Sequence, residues 1–257
     1  GIMNLSVGSV LLGGALPGIL LGSSQALYIF LNRKKLELPT VKRTVTRKEA
    51  LTIWKDGIIA LFMPLIILVG ILGGIFTPTE AAAVAVLYSL LAAFLVYRQI
   101  TLKDIYIAIT ETVRTTAMVF IIVSCAAVFS WVLSSERIPE HIATFLMSLT
   151  THKYILLTIM NLLLLMVGMW METGAAIILF APILAPIMVR MGIHPIHFAI
   201  VMILNLVIGL ITPPVGVVLY ATCKVGEVSF EKLVHALIPH FLIAFAVLAL
   251  VSYVPDI

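Results

Sequence analysis

Residues 154–189, YILLTIMNLLLLMVGMWMETGAAIILFAPILAPIMV, carry a single charged side chain, Glu172. A helix that crosses a bilayer needs about 20 apolar residues, so two crossings and a turn would need more than this stretch supplies. The run is interrupted at Met171-Glu172-Thr173-Gly174, and its second half contains Pro182 and Pro186. It reads either as two tight crossings or as a re-entrant helical hairpin whose tip stops inside the membrane. The companion feature is the apolar run from Phe198 to Thr222, with Gly209-Leu210-Ile211-Thr212-Pro213-Pro214-Val215-Gly216 at its centre. Two successive prolines remove two amide donors and clash with the preceding turn, and the flanking glycines permit an unwound path. A broken helix is expected over 198–222.

The rest of the chain fits a membrane protein. Of its 257 residues, 62% are hydrophobic and 11% charged, with a mean hydropathy of +1.19. Soluble domains have roughly 45–50% apolar and about 25% charged residues, so a soluble or secreted globular domain is excluded. The net charge of +4 does not indicate nucleic acid, because the basic residues cluster in one loop at 33–56. There Arg33, Lys34, Lys35, Lys42, Arg43, Arg47, Lys48 and Lys55 outweigh Glu37, Glu49 and Asp56. The positive-inside rule assigns such a loop to the cytoplasm, with anionic lipid binding as a lesser alternative.

Threading outward from that loop gives spans at 8–32, 57–76 and 81–97, the latter two joined by Thr77-Pro78-Thr79-Glu80. Glu80 reads as a structural helix-start residue with Thr77 or Thr79 as the cap. Residues 105–114 are expected as an interfacial helix ahead of a span at 115–133. Ile142, Phe145, Leu146 and Leu149 recur at helical spacing and suggest a helix lying on the membrane. A last crossing covers 237–253. The fold class is thus all-α, a polytopic membrane protein forming one membrane domain over 1–257. Cys125 and Cys223 lie in or beside apolar runs without metal-type spacing, and imply neither a disulfide nor a redox site.

Non-helical backbone at membrane depth survives only when buried in protein or facing a wet cavity, since each unmet amide or carbonyl costs several kcal/mol. A hairpin tip at 171–174 and a break at 209–216 are the parts of a transporter site, where free carbonyls and helix C-termini hold a cation and helix N-termini face an anion. Thr173 and Thr212 add hydroxyl oxygens, which suit a hard cation such as sodium. The bland alternative is that Pro213 and Pro214 only kink a packed helix. Glu172, an intramembrane acid, could ligate a cation, carry a proton or cap the following half-helix. Ser124 and Cys125 lie mid-span, where they line a cavity or serve packing. His194 and His197 flank Pro195 in a turn rather than as a metal pair. No nucleophile–base set, phosphate loop or redox centre is present, so the chain is not read as an enzyme.

Gly73-Gly74-Ile75-Phe76-Thr77-Pro78-Thr79-Glu80-Ala81-Ala82-Ala83, Ala181-Pro182-Ile183-Leu184-Ala185-Pro186 and Asn205 to Gly216 resemble the large membrane subunit of TRAP (tripartite ATP-independent periplasmic) transporters, in order along essentially the whole chain. The resemblance implies a sodium-driven importer of organic acid anions such as dicarboxylates, sugar acids or sialic acid, in the bacterial inner membrane. It also implies a periplasmic substrate-binding protein and a small four-helix membrane subunit as partners, with sodium as coupling ion and no cofactor.

The implied architecture is an inverted-repeat elevator like that of the ion-transporter superfamily. In it, 1–32 ends the first repeat, 57–104 is mainly scaffold, and 105–257 is mainly a transport-domain half with hairpin 154–189 and broken helix 198–222. The candidate sodium-binding set is Gly168, Met171, Glu172, Thr173, Gly174, Gly209, Thr212, Pro213 and Val215. The candidate substrate cavity is Ser124, Asn205, Thr212, Pro214 and Gly216. Two departures stand out. Trp170-Met171-Glu172 carries Glu where the family often has Asp, and the chain holds only the C-terminal part of such a subunit. The missing N-terminal half, with the first hairpin and first broken helix, is expected from a longer chain or a second polypeptide. A structural assembly subunit and a passive channel are the competing readings, though no span offers the periodic polar face of a channel.

Overall fold

A computed structural model describes residues 5–34, 46–98, 100–137, 141, 142, 144, 145, 148, 150 and 152–254. Helices account for nearly all of them: α1 (Val7–Asn32), α2 (Arg47–Leu72), α3 (Pro78–Leu91), α4 (Leu102–Ser135), α5 (Lys153–Trp170), α6 (Thr173–Arg190), α7 (Pro195–Leu210), α8 (Val217–Gly226) and α9 (Phe230–Tyr253). A π-helical turn, Ala92–Tyr97, extends α3. Among the described residues, seven helical segments are long and apolar enough to cross a membrane. The chain is an all-α polytopic membrane protein.

Helix ends follow local chemistry. Thr77 caps α3: its hydroxyl accepts from Glu80 N, and Glu80 Oε2 accepts from Thr77 N at 2.7 Å. This reciprocal box is the structural role expected of Glu80. The same box at Thr46 and Glu49 starts α2 at Arg47, ten residues ahead of the expected span, so residues 47–56 of the basic loop are helical. The loop residues 35–45 lie outside the described residues.

The expected division between an interfacial helix at 105–114 and a span at 115–133 is absent. Residues 102–135 contain neither Gly nor Pro, and nothing interrupts the hydrogen-bond ladder. At about 1.5 Å per residue, α4 outruns a hydrocarbon core about 30 Å thick. Its first turn, with Thr101 and Asp104 exchanging hydrogen bonds, carries Lys103 and Asp104, and Glu111 and Arg114 follow before the uncharged stretch. Of the expected surface helix, Ile142 and Phe145 are helical, as are positions 141, 144 and 148; Leu146 and Leu149 lie outside the described residues.

The chain divides into two compact units, Gly1–Leu36 with Ala117–Ile257, and Glu37–Thr116. In the smaller unit α2 packs on α3, and Tyr88 OH donates to Ile59 O at 2.6 Å. In the larger unit α7 is the central element. Phe198, Met202 and Leu206 pack with Leu156, Met160 and Leu164 of α5 and with Ala181, Ile187 and Met188 of α6. Val201, Leu204 and Ile208 meet Ala244, Val247, Leu248 and Val251 of α9. A helix apolar all round belongs inside, and α7, reading PIHFAIVMILNLVIGL, is of that kind. By contrast, large apolar side chains of α1, α2 and α4, such as Ile19, Leu31, Leu61, Phe120 and Trp131, are exposed, as suits faces solvated by lipid or further protein.

Candidate functional site

The stretch expected as two tight crossings or a re-entrant hairpin forms α5 and α6, each long and apolar enough to cross a membrane, and the turn between them is shorter than the sequence suggests. Only Met171 (φ −118°, ψ 147°) and Glu172 (φ −65°, ψ 142°) are extended, and Thr173 already begins α6. Glu172 is the N-cap: its carboxylate accepts from Ala175 N at 3.0 Å. Of the three roles open to it in the sequence, capping is the one its geometry displays. A Cβ on Gly174 would lie 3.0 Å from Glu172 Oε2, so the glycine leaves room for the cap. Thr173 Oγ1 is buried without a hydrogen-bond partner.

The expected broken helix is also present, as α7 and α8 separated by residues 211–216. Thr212 is buried. Its hydroxyl donates to Ile208 O at 2.6 Å, which leaves the oxygen's lone pairs as acceptors. The Pro213–Pro214 bond is cis. Gly216 has φ +54° and ψ 74°, the left-handed region that penalises a Cβ. Pro214 is exposed, while Pro213 and Val215 are half-buried.

The break lies against the last turn of α5, beside the tip. Gly216 N donates to Met169 O there, at 3.3 Å. Next to Met169, a Cβ on Gly209 would lie 2.7 Å from Gly168 Cα, and one on Gly168 would lie 2.8 Å from Leu206 O. Glycine at both positions allows the backbones of α5 and α7 to touch. Gly168, Gly209 and Gly216 are thus brought together with Met169, a residue whose role as a backbone acceptor carries no side-chain signal in the sequence.

Asn205, an expected cavity residue, is fully buried, and its amide is engaged by Asn161 and Val201. Ser124 is exposed on α4, its hydroxyl donating back to Phe120 O at 2.8 Å. The neighbouring Cys125 does line a cavity of about 610 Å³, with Ile121, Ala126, Phe129, Met171 and Ala175. Its walls are almost wholly apolar and offer a carboxylate little. His197, expected in a surface turn, instead binds Val251 O of α9 at 2.8 Å. Sequence reasoning missed Asn161 and Ser252. Their signal was a lone amide in an apolar run and a hydroxyl at the end of another.

The fold defines a class: an all-α, multi-pass membrane protein in which a broken helix packs against the end of another. Its residues 2–257 match the family described as "Tripartite ATP-independent periplasmic transporter, DctM component", and the chain belongs to that family. It is 37% identical over 255 residues to the sialic acid TRAP transporter large permease protein SiaM of Vibrio cholerae, covering 99% of this chain and 60% of the relative. It is 38% identical over 252 residues to the C4-dicarboxylate TRAP transporter large permease protein DctM of Pseudomonas aeruginosa, covering 98% and 59%. With the 2,3-diketo-L-gulonate TRAP transporter large permease protein YiaN of Escherichia coli it shares 32% identity over 253 residues, covering 98% and 59%. The chain therefore spans about three-fifths of these relatives' length. They are transporter permease subunits, not enzymes.

Proposed function

We propose that this chain forms part of the large membrane subunit of a sodium-coupled secondary transporter that imports an organic acid anion across the bacterial inner membrane. It would work with a small four-helix membrane subunit and a periplasmic binding protein that delivers the substrate. The relatives' names, which span sialic acid, C4-dicarboxylates and a diketo sugar acid, support an organic acid without selecting one. The observation that carries the reading is the docking of the 211–216 break on the last turn of α5, just before the 171–172 tip, through Gly216 N and Met169 O.

A buried Thr173 oxygen without a partner and the lone pairs of Thr212 supply hard oxygen donors of the kind sodium takes. No Lys or Arg stands in either interruption, so a bound cation and helix N-termini would be the counter-charges of a carboxylate. An elevator motion of the transport-domain half, mainly 105–257, against a fixed scaffold, mainly 57–104, is the accompanying mechanical proposal.

The test reconstitutes the complete complex in vesicles and measures uptake of radiolabelled sialic acid, succinate and a sugar acid. At least one acid should accumulate only under an inward sodium gradient. Equal accumulation with potassium replacing sodium would remove the coupling.

A further inference from the structure

A chain of buried polar side chains lies beyond the two interruptions. Asn205 spends both its amide hydrogens: Nδ2 donates to Val201 O at 2.8 Å and to Asn161 Oδ1 of α5 at 2.9 Å. Asn161 Nδ2 in turn donates to Ser252 Oγ of α9 at 2.9 Å. All three side chains are buried. Asn205 Oδ1, at the head of the chain, has no donor. Flipping the Asn205 amide would aim its oxygen at two other oxygens, so the partners fix its orientation.

Such an arrangement adds little net stability: a buried hydrogen bond contributes about 0.5–1.5 kcal/mol, offset in part by the unmet Asn205 acceptor. What it adds is register. Asn205 and Gly209, four residues apart, share one face of α7, and Asn161 and Gly168, two turns apart, share the facing side of α5. The pairs Asn161–Asn205 and Gly168–Gly209 follow each other in the same order along both helices, so α5 and α7 run parallel. The amide pair is therefore a second fixed point on the seam that ends at the Gly216–Met169 bond, and Ser252 anchors the seam to α9. With both points held, α7 can neither turn nor slide on α5, and Thr212 stays in place.

We propose that Asn161, Asn205 and Ser252 are positioning residues that hold the 211–216 break in register with the end of α5. The functional consequence, sodium affinity, rests on the reading above, whereas the structural consequence does not. The experiment uses the complete complex and compares wild type with Asn205→Leu, Asn161→Leu, the double variant and the milder Ser252→Ala. Hydrogen–deuterium exchange of peptides covering 211–219 is followed in KCl and in NaCl. The sodium concentration giving half-maximal thermal stabilisation over KCl is measured in parallel.

Each Leu variant should exchange about three- to tenfold faster at 211–219, the range expected from interhelical hydrogen bonds in membranes. The half-stabilising sodium concentration should rise by a similar factor, and the double variant should be no worse than the singles, because the pair acts as a unit. Unchanged exchange at 211–219 in a folded Leu variant, or faster exchange confined to 157–165, overturns the proposal. Should the Leu variants not fold, Ser252→Ala decides: about twofold faster exchange at 211–219 supports it, and none overturns it. If wild type gains no stability from sodium over KCl, the sodium reading falls, and the KCl exchange data still decide this proposal.

Discussion

The two interruptions of the helical backbone lie side by side and are closed in opposite ways. At 171–172 the chain turns in two residues, and its own side chain, Glu172, satisfies an amide of the helix that follows. At 211–216 six residues leave the helix, and the amide at the far end, Gly216 N, finds its partner on a different helix at Met169 O. The tip is thus locally self-sufficient, whereas the break depends on the packing of α5 against α7. A change at the tip should be felt locally, and a change along the α5–α7 seam should reach the break.

The largest effect should come from the seam itself. Gly209→Ala places a methyl 2.7 Å from backbone atoms of Gly168, which cannot move aside as a side chain would. A loss of about 1–3 kcal/mol is expected, read as a lower melting temperature or a loss of folded complex in detergent. If Gly209→Ala were as stable as wild type, the close approach would not govern the break.

Thr212→Val keeps the shape but removes the hydroxyl that bonds Ile208 O. Its expected signature is about a tenfold rise in the sodium needed for uptake, corresponding to about 1.4 kcal/mol, with little change in melting temperature. Unaltered sodium dependence would move the cation away from the break.

Glu172→Ala removes the cap at the tip and should cost about 1 kcal/mol of stability, while Glu172→Gln keeps an acceptor for Ala175 N and should stay close to wild type. A large loss of sodium dependence in Glu172→Gln would instead make the carboxylate a ligand. Ser124→Ala should be the quietest change, within about 0.5 kcal/mol and without effect on uptake, since that hydroxyl serves only its own helix. A clear uptake defect there would restore Ser124 to the cavity.

Much of the fold was legible in the sequence because a membrane restricts the choices. Long apolar runs must be helices, and tandem proline between glycines must interrupt one. The interruption at 171–174, the broken helix at 198–222 and the helix start at Glu80 all come from local composition, while the choice of Thr77 over Thr79 as the cap came from the structure. The start of α2 was missed because a capping box at Thr46 and Glu49 extends a helix through charged residues that hydropathy alone assigns to a loop. The continuity of α4 was missed for a related reason: charge marks where a helix leaves the lipid, not where it ends.

The candidate site was legible only in part. Thr212, Gly209, Gly216 and the tip could be named from their types, but the bond that ties Asn205 to Asn161 could not.

Sequence by itself determined that this is a helical membrane chain and where its backbone breaks, because those features follow from hydropathy and from proline and glycine chemistry acting over a few residues; its family rests on the match along residues 2–257. Tertiary structure alone decided that the 211–216 break docks on the last turn of α5, that Gly168 meets Gly209 and that Asn205, Asn161 and Ser252 form one chain. Those relations join residues 41 to 91 positions apart, and which helix faces meet is set by the packing of α5, α7 and α9 together, which no single segment encodes.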